Sequence, residues 1–355
     1  MSEQRFTSSQ RLQRALLVSL SRLPAGLQRM LARPATSTAG DTMAPDVALL
    51  MKLGESGPDY SDLPPAEARA TTERDLTLFA ARLPECGVEE EIEIGDGLLA
   101  TRYSTGTPDR GLILFFHGGG FVIGSRASYT APARMLAQGT GADVVSVEYR
   151  LAPEHRFPAA QDDALAAWQY VVDHAAAWGV DPRRIVVAGE SAGGNIAAVL
   201  CQQVRDDEVQ PMLQVLIQPV TDLVEHRPSQ DEFAGSPALS AKQIAWFVEN
   251  YLPAGADPAD PLISPYRAAS LAGLPPAIVN LAGFDPLHDD GLAYATALRD
   301  AGVPAQVDRE DGLVHGYLSY TAVSPSCMRA TERLVSSISD ALRRTDHTTS
   351  VTKAS

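Results

Sequence analysis

A serine between two glycines is the first place in this sequence where chemistry is expected. Gly189-Glu190-Ser191-Ala192-Gly193 fits the pattern G-x-S-x-G. The apolar, β-branched residues 184–188 before it predict a buried strand, and residues 195–201 after it predict a helix. Flanking glycines permit the sharp strand-to-helix turn that presents a nucleophilic hydroxyl. The same pattern also fits a serine that only caps a helix. Residues elsewhere in the chain have to distinguish a nucleophile from a helix cap.

A second glycine-rich motif, His117-Gly118-Gly119-Gly120, follows the predicted strand 112–116. Consecutive glycines allow backbone N–H groups to point into one concave space. Acyl transfer needs such donors, because negative charge develops on the carbonyl oxygen when it is attacked. A glycine triplet alone also fits a tight turn or a phosphate loop. The order H-G-G-G and then G-x-S-x-G favours an oxyanion hole.

An acid is expected beyond a strand that follows the serine. Asp285 comes just after the predicted strand 277–281, and Pro286 prevents that strand from continuing. Asp289 and Asp290 are competing carboxylates, but they fit the first turn of the next helix, where negative charge suits the helix dipole. The sequence therefore favours Asp285.

A base is expected after the last strand. His315 lies in a glycine-flanked loop beyond the predicted strand 305–309, and the other six histidines have no comparable setting. The order Ser191, Asp285, His315 along the chain is that of α/β-hydrolases. The sequence thus predicts a Ser-His-Asp triad.

Strands and helices alternate from about residue 89 onward. Predicted strands cover 89–94, 99–104, 112–116, 144–148, 185–188, 213–217, 277–281 and 305–309. Predicted helices cover 131–138, 160–178, 196–206, 241–252, 289–301 and 327–344. This alternation predicts an α/β fold with an eight-stranded, mostly parallel sheet flanked by helices.

Two segments depart from the alternation and predict a helical cap. Residues 44–80 contain two helical patterns, and residues 221–272 contain no predicted strand. A peripheral decoration unrelated to the site is the alternative. Four aromatic residues are candidates for lining an apolar substrate pocket, although aromatic residues at helical spacing also fit an ordinary core. They are Phe121, Trp246, Phe247 and Tyr251.

The bulk composition excludes several classes of function. The chain has 355 residues and a net charge of -15, and such an acidic surface argues against a nucleic-acid partner, because phosphate binding needs a basic face. Its three cysteines are far apart and form neither a metal-binding spacing nor a disulfide framework, which favours a reducing compartment. No apolar run reaches the ~18 residues of a membrane span. A cytoplasmic protein is expected.

The N-terminal segment differs from the remainder in charge. Residues 1–40 contain six arginines and Glu3, a net charge of +5, which leaves -20 on the rest. Leucines at helical spacing over residues 9–32 predict an amphipathic helix, and Pro24 predicts the start of a second one. Three interpretations stay open: a helix docked on the body, a helix in weak contact with a membrane surface, and a loosely ordered tail.

Residues 45–345 resemble the bacterial hormone-sensitive-lipase-like family of α/β-hydrolase carboxylesterases. The stretches that carry the resemblance are His117–Gly120, Tyr149–Glu154, Gly189–Gly194, Asp285–Leu287 and His315-Gly316. The resemblance implies hydrolysis of a small hydrophobic ester with a short- to medium-chain acyl group, without a cofactor or metal. It also implies a cap and a homodimer.

The resemblance assigns roles to the motif residues. Ser191 would be the nucleophile, His315 the base and Asp285 the residue that orients it. The N–H groups of Gly119, Gly120 and Ala192 would bind the oxyanion. His117, Gly118 and Glu190 would support the site, although Glu190 stands where many relatives have aspartate.

Residues 1–43 lie outside the family pattern. The expected organisation is an N-terminal extension over 1–43, one hydrolase domain over 44–345 and a flexible tail over 346–355. Two alternatives remain at this stage. One is another serine hydrolase activity on the same triad, such as an amidase, peptidase or acyltransferase. The other is a non-catalytic small-molecule receptor.

Overall fold

One central sheet organises the chain, with the strand order β1-β2-β4-β3-β5-β6-β7-β8. A computed structural model describes residues 6–55, 57–107 and 111–352, with side chains as far as Arg344. β2 pairs antiparallel with β1 and β4, and every later pair is parallel. The prediction of an eight-stranded, mostly parallel sheet is therefore confirmed. The strands are β1 (Val88–Gly95), β2 (Leu98–Ser104), β3 (Leu112–Phe116), β4 (Asp143–Val147), β5 (Ile185–Glu190), β6 (Leu213–Ile217), β7 (Ala277–Phe284) and β8 (Ala305–Val314).

Helices lie on both faces of the sheet and at its two ends. They are α1 (Ser8–Ser21), α2 (Ala25–Leu31), α3 (Pro45–Gly54), α4 (Pro65–Phe79), α5 (Thr130–Thr140), α6 (Ala159–Ala175), α7 (Ala192–Gln203), α8 (Pro228–Glu232), α9 (Ala241–Tyr251), α10 (His288–Asp300) and α11 (Pro325–Thr352).

Side chains of β3 show how the two faces are filled. Leu112, Leu114 and Phe116 belong to one buried cluster, which includes residues of α6, α7 and α10. Ile113 and Phe115 belong to the opposite cluster, with residues of α5 and α11. Successive strand side chains point to opposite faces, and both faces here are covered, which explains why the strand is apolar throughout.

Several element boundaries differ from those predicted, including those of α7, β8 and α11. Helix α7 begins at Ala192, directly after the serine, and includes Gly193, where a Cβ would lie 2.1 Å from the Phe116 carbonyl oxygen at the end of β3. Strand β8 continues to Val314, since pairing with β7 resumes after a register shift. Helix α11 continues through residues 346–352, where a flexible tail was expected; residues 353–355 lie outside the described part.

The two predicted cap segments contact each other. Tyr60, between α3 and α4, lies with its ring 5.8 Å from that of Phe247 on α9. The side-chain amide of Gln243 on α9 donates to the Asp59 carboxylate at 3.1 Å. The segment between α3 and α4 is therefore packed against α9.

The N-terminal extension packs against the body through one side of α1. Arg14 donates hydrogen bonds to the carbonyl oxygens of Leu78 and Ala80, at 2.9 Å for the latter. Leu17 and Val18 pack against the cluster that contains α5 and α11. This side of α1 agrees with the docked-helix interpretation. No helix in the described part of the chain is long and apolar enough to cross a membrane.

Candidate active site

Ser191 occupies the sharp turn between β5 and α7. Its backbone has φ 56° and ψ -114°, a conformation that costs on the order of 1–3 kcal/mol in a residue other than glycine. A Cβ at Gly189 would lie 2.1 Å from the carbonyl oxygen of Gly193, and one at Gly193 would lie 2.1 Å from that of Phe116. Only glycine fits on either side of the turn.

The structure brings the three predicted triad residues together. The imidazole Nε2 of His315 lies 3.0 Å from the Ser191 hydroxyl, and its Nδ1 lies 2.9 Å from Oδ2 of Asp285. The other oxygen of Asp285 accepts a hydrogen bond from the backbone N–H of Leu287 at 2.8 Å. The carboxylate is thus held from two directions, and the imidazole bridges it to the serine.

Two opposing effects act on the pKa of His315. Burial favours the neutral imidazole and lowers the pKa. The adjacent Asp285 carboxylate, by charge and by its hydrogen bond, and more weakly Glu190, raise it. The net result is a pKa above the ordinary value of 6.5. The imidazole is therefore a stronger base than a free histidine.

The loop from His117 to Gly120 adopts conformations that require glycine. Gly119 has φ 118° and Gly120 has φ 57°. A Cβ at Gly119 would lie 2.1 Å from the Ile123 carbonyl oxygen, and one at Gly120 would lie 2.2 Å from the Phe247 ring. Within the described part of the chain, the N–H groups of Gly119 and Gly120 donate to no protein acceptor. They are free to bind a ligand oxygen.

His117 supports this loop from below. Its ring stacks on Tyr149 at 4.2 Å, and Nδ1 lies 2.8 Å from the Gly118 carbonyl oxygen. Burial lowers the pKa of His117 to about 4, so the ring is neutral at neutral pH. The Tyr149 hydroxyl donates to the His117 carbonyl oxygen at 2.9 Å. His117 does not line the cavity described next.

A cavity of about 1000 Å³ extends outward from Ser191. Gly118, Gly119, Gly120, Glu190 and His315 line it beside the serine. Ala192 does not line it, but it is the buried first residue of α7, directly after the serine. Residues of α1, α4 and α9 also line it.

Comparison with known proteins identifies the family. A family model described as the alpha/beta hydrolase fold matches residues 113–319, more than half of the chain. The chain belongs to this α/β-hydrolase family. The matched region of this hydrolase contains the glycine loop, the serine turn, Asp285 and His315.

Similar proteins agree with this assignment. The hydrolase is 43% identical to esterase LipI of Mycobacterium tuberculosis over 71% of this chain and 83% of that one. It is 36% identical to the ethyl acetate hydrolase of Pseudomonas putida over 78% of this chain and 92% of that one. An ester-hydrolase from the metagenome of Lake Arreo, solved with a bipyridine phosphonate derivative, superposes with a TM-score of 0.80 at 34% identity. That match covers 84% of this chain and 98% of the other. The resemblance to hormone-sensitive-lipase-like carboxylesterases is confirmed.

Three of the four predicted pocket residues line the cavity of the hydrolase: Phe121, Phe247 and Tyr251. The prediction that Trp246 lines the pocket is wrong, because this residue does not line the cavity. Its ring packs against Tyr60 and Phe247 instead, at 6.0 and 5.3 Å. Trp246 lies off the face of α9 that lines the cavity, which consists of Gln243, Ile244, Phe247, Val248 and Tyr251.

Gln218 is a site residue that the sequence analysis missed. Its side-chain oxygen accepts from the backbone N–H of Gly316 at 2.8 Å, and its amide donates to the carbonyl oxygen of Val314 at 3.1 Å. It therefore holds the backbone on both sides of His315. The available signal was a polar residue directly after a buried strand, where site residues of parallel sheets collect.

Tyr129 was also missed. Its hydroxyl donates a hydrogen bond to Oε2 of Glu190, and both residues are buried. Burial raises the pKa of the Glu190 carboxyl, and the Tyr129 hydrogen bond offsets part of this increase.

No group of three or more His, Cys, Asp or Glu side chains among the described residues could hold a metal ion.

Proposed function

We propose that this hydrolase is a serine carboxylesterase acting on short- to medium-chain acyl esters through Ser191, His315 and Asp285. The observation that carries the proposal is the pair of contacts at His315, 3.0 Å to the serine hydroxyl and 2.9 Å to the carboxylate. The order of these residues and their setting in an α/β-hydrolase sheet add support.

Acylation begins when His315 Nε2 takes the Ser191 hydroxyl proton as the oxygen attacks the ester carbonyl carbon. Asp285 holds the Nδ1–H tautomer and stabilises the imidazolium that forms. The raised pKa of His315 favours this proton transfer. Collapse of the tetrahedral intermediate breaks the bond to the alkoxy oxygen, which receives the proton from His315 and leaves as the alcohol.

The oxyanion of that intermediate is bound by the N–H groups of Gly119, Gly120 and Ala192. The first two have no protein acceptor among the described residues, and the third follows the nucleophile at the N-terminus of a helix. Donors fixed by the backbone need little reorganisation as charge develops, so they stabilise the transition state more than the ester.

Deacylation repeats the cycle with water. His315 takes a proton from water, the resulting hydroxide oxygen attacks the acyl carbon, and the Ser191–acyl bond breaks as the serine oxygen regains a proton. The products are the carboxylic acid and the free enzyme. No cofactor or metal is needed for either half.

The cavity supports a small hydrophobic ester as substrate. Phe121, Phe247 and Tyr251 give its wall apolar surface beside the serine, and the rings of Phe121 and Tyr251 stack at 3.8 Å. Relatives named esterase and ethyl acetate hydrolase agree with this class. Residues 44–80 and 221–272 act as the cap over this space.

Two assays test the function. Wild-type protein is expected to form a fluorophosphonate adduct at Ser191 and to hydrolyse a C2–C12 ester series faster than matched anilides or peptides. Ser191→Ala should lose the adduct and about 10⁶ of kcat. Ser319→Ala is the matched control, because this serine also lines the cavity but has no histidine partner.

A parallel pair tests the acid. Asp285→Asn should lower kcat about 10⁴-fold through the wrong imidazole tautomer. Asp289→Asn is the control, because that neighbouring carboxylate bonds to the Ser229 N–H and His288 instead. The absence of any adduct on folded protein would contradict the serine mechanism. Faster anilide than ester cleavage would contradict the substrate class.

The remaining expectations are separate proposals. A homodimer rests on the family resemblance alone, and light scattering of the full chain measures it. A cytoplasmic location rests on cysteine usage and composition. Weak contact of residues 9–32 with a membrane surface is supported by the exposed apolar side chains in this segment.

A further inference from the structure

Large exposed apolar side chains are concentrated at one place on the hydrolase. Eight such side chains are exposed in the described part of the chain, and six of them lie on or beside α1, α2 and the end of α3. Leu12 is 73% exposed and Met30 is 80% exposed, which is unusual for large apolar residues in a folded protein. We name the six the N-terminal apolar surface: Leu12, Leu16, Leu27, Met30, Leu31 and Leu53.

Hydrogen bonds fix the helices that carry this surface. The Gln28 side-chain amide on α2 donates to the Ser21 carbonyl oxygen at the end of α1, at 2.7 Å. Lys52 on α3 donates to the Leu31 carbonyl oxygen at 2.8 Å. The opposite side of α1 is docked through Leu17 and Arg14. The helices that carry the exposed apolar side chains are therefore fixed to one another and to the body.

The segment that contains most of the N-terminal apolar surface is cationic. Arg11, Arg22, Arg29 and Arg33 are all exposed, and residues 6–40 contain no acidic residue. The rest of the chain carries a net charge of -20 once residues 1–40 are set aside. An anionic surface would attract this side of the molecule and repel the others, which fixes the orientation of approach.

The active-site cavity reaches the helices that carry this surface. Gln13 and Leu17 on α1 and Leu53 on α3 line it, and Gln13 and Leu53 are solvent-exposed. Leu53 also belongs to the N-terminal apolar surface, so the cavity and this surface meet there. A bilayer that received the N-terminal apolar surface would therefore lie beside this part of the cavity.

We infer that the N-terminal apolar surface seats the hydrolase on an anionic lipid bilayer, with the cavity entrance facing the membrane. Apolar side chains would enter the headgroup region while the arginines contact lipid phosphates, as in other interfacial amphipathic helices. Esters that partition into the bilayer would then reach Ser191 without crossing bulk water; this step rests on the proposed esterase activity.

Charge favours a bilayer over a second copy of this chain. In a two-fold interface the same patch meets itself, so the interface would contain two copies of all four arginines. Like charges opposed across an interface are unfavourable, whereas anionic lipid compensates all of them. A homodimer built on this surface is therefore an outcome that contradicts the inference.

Binding is measured with the Ser191→Ala variant, which separates it from turnover. The full-length variant is mixed with phosphatidylcholine vesicles that contain either no anionic lipid or about 30 mol% phosphatidylglycerol. Flotation then separates the vesicle-bound protein from the free protein. We expect binding to the anionic vesicles, weakened by added salt. Failure to float with anionic vesicles would overturn the inference while leaving the esterase proposal intact.

Substitutions then test the surface itself. Leu12→Ser with Leu16→Ser should weaken vesicle binding at least about tenfold. Each of Arg11→Gln and Arg29→Gln should weaken it about fivefold. Matched controls lie elsewhere: Val88→Ser replaces another exposed apolar residue, and Arg183→Gln another exposed arginine. Equal effects of surface and control variants would contradict the inference.

Activity and oligomeric state complete the test. In otherwise wild-type protein, the Leu12/Leu16 variant should hydrolyse a water-soluble acetate ester normally and lose most activity on an ester embedded in anionic vesicles. Loss of vesicle binding together with dissociation of a dimer into monomers would show an interface between copies instead. Vesicle binding by a wild-type protein that hydrolyses no ester would contradict only the proposed function.

Discussion

The Tyr129 hydroxyl donates a hydrogen bond to Glu190, the residue directly before Ser191. Tyr129 also contacts the glycine loop, because its ring lies 5.7 Å from that of His117 and a Cβ at Gly118 would lie 2.6 Å from its hydroxyl oxygen. The pair thus joins the nucleophile turn to the oxyanion loop across 61 residues of sequence. The relative position of the turn and the loop should therefore depend on the hydrogen bond between Tyr129 and Glu190.

Tyr129→Phe is expected to weaken both stability and catalysis. It leaves Oε2 of Glu190 buried without a donor, and Oε1 already has no partner. The free energy of unfolding should fall by about 1–3 kcal/mol, and kcat/KM by about 10- to 100-fold through misplacement of the loop. Chemical denaturation and steady-state kinetics measure the two effects. Unchanged kcat/KM would contradict the role in positioning.

Glu190→Gln is the matched variant, because its amide oxygen still accepts from Tyr129. The folded-state pKa of Glu190 is raised, so between the unfolded and folded values the folded protein binds more protons and its stability falls as pH rises. Removing the carboxyl should flatten this decrease above pH 4.5, the ordinary value. A stability profile identical to that of the wild type would contradict the buried-charge argument.

The pH dependence of kcat/KM should report His315. Acylation needs the neutral imidazole, so activity should rise with pH, and its midpoint should lie above the ordinary 6.5 because the net pKa is raised. Glu190→Gln should move the midpoint downward, since the Glu190 charge is one of the causes that raise this pKa. Initial rates with a non-ionising ester measure both midpoints. A wild-type midpoint below 6.5 would contradict the net increase in the pKa of His315.

Gly119→Ala should disable the oxyanion loop. The added Cβ would lie 2.1 Å from the Ile123 carbonyl oxygen, so the backbone has to move. Displacing one oxyanion donor lowers kcat by about 10²–10³. Gly179→Ala is the control, because that residue has a similarly positive φ of 75° but nothing within 4 Å of the new Cβ. Equal activity of the two variants would exclude a special role for the loop.

Gln218→Ala should act through His315. Without the bonds to Gly316 and Val314, the histidine loop is less well held, and kcat should fall about 10- to 100-fold. Gln214→Ala is the control: this buried glutamine of β6 bonds to the Pro275 carbonyl oxygen, away from the site. Both variants should lose stability, but only Gln218→Ala should slow fluorophosphonate labelling of Ser191. Equal labelling rates would contradict the positioning role.

The sequence alone predicted the sheet, the cap segments and the order of the triad, because each depends on local chemistry. Apolar runs of strand length can be buried on both faces of a sheet. Gly189 is needed because a Cβ there would lie 2.1 Å from the carbonyl oxygen of Gly193 in the same turn. Such requirements involve residues that are close in sequence, so they can be recognised without knowledge of the fold.

Only the tertiary structure decided which distant side chains meet. Gln218 reaches Gly316 across 98 residues, and Arg14 anchors α1 to residues 64 and 66 positions away. It also turned Trp246 away from the cavity and left Leu12 and Leu16 exposed on α1. A helical pattern states which residues share a face, but not whether that face is covered. Packing against the rest of the chain determines whether the face is covered, and that packing depends on all elements of the fold together.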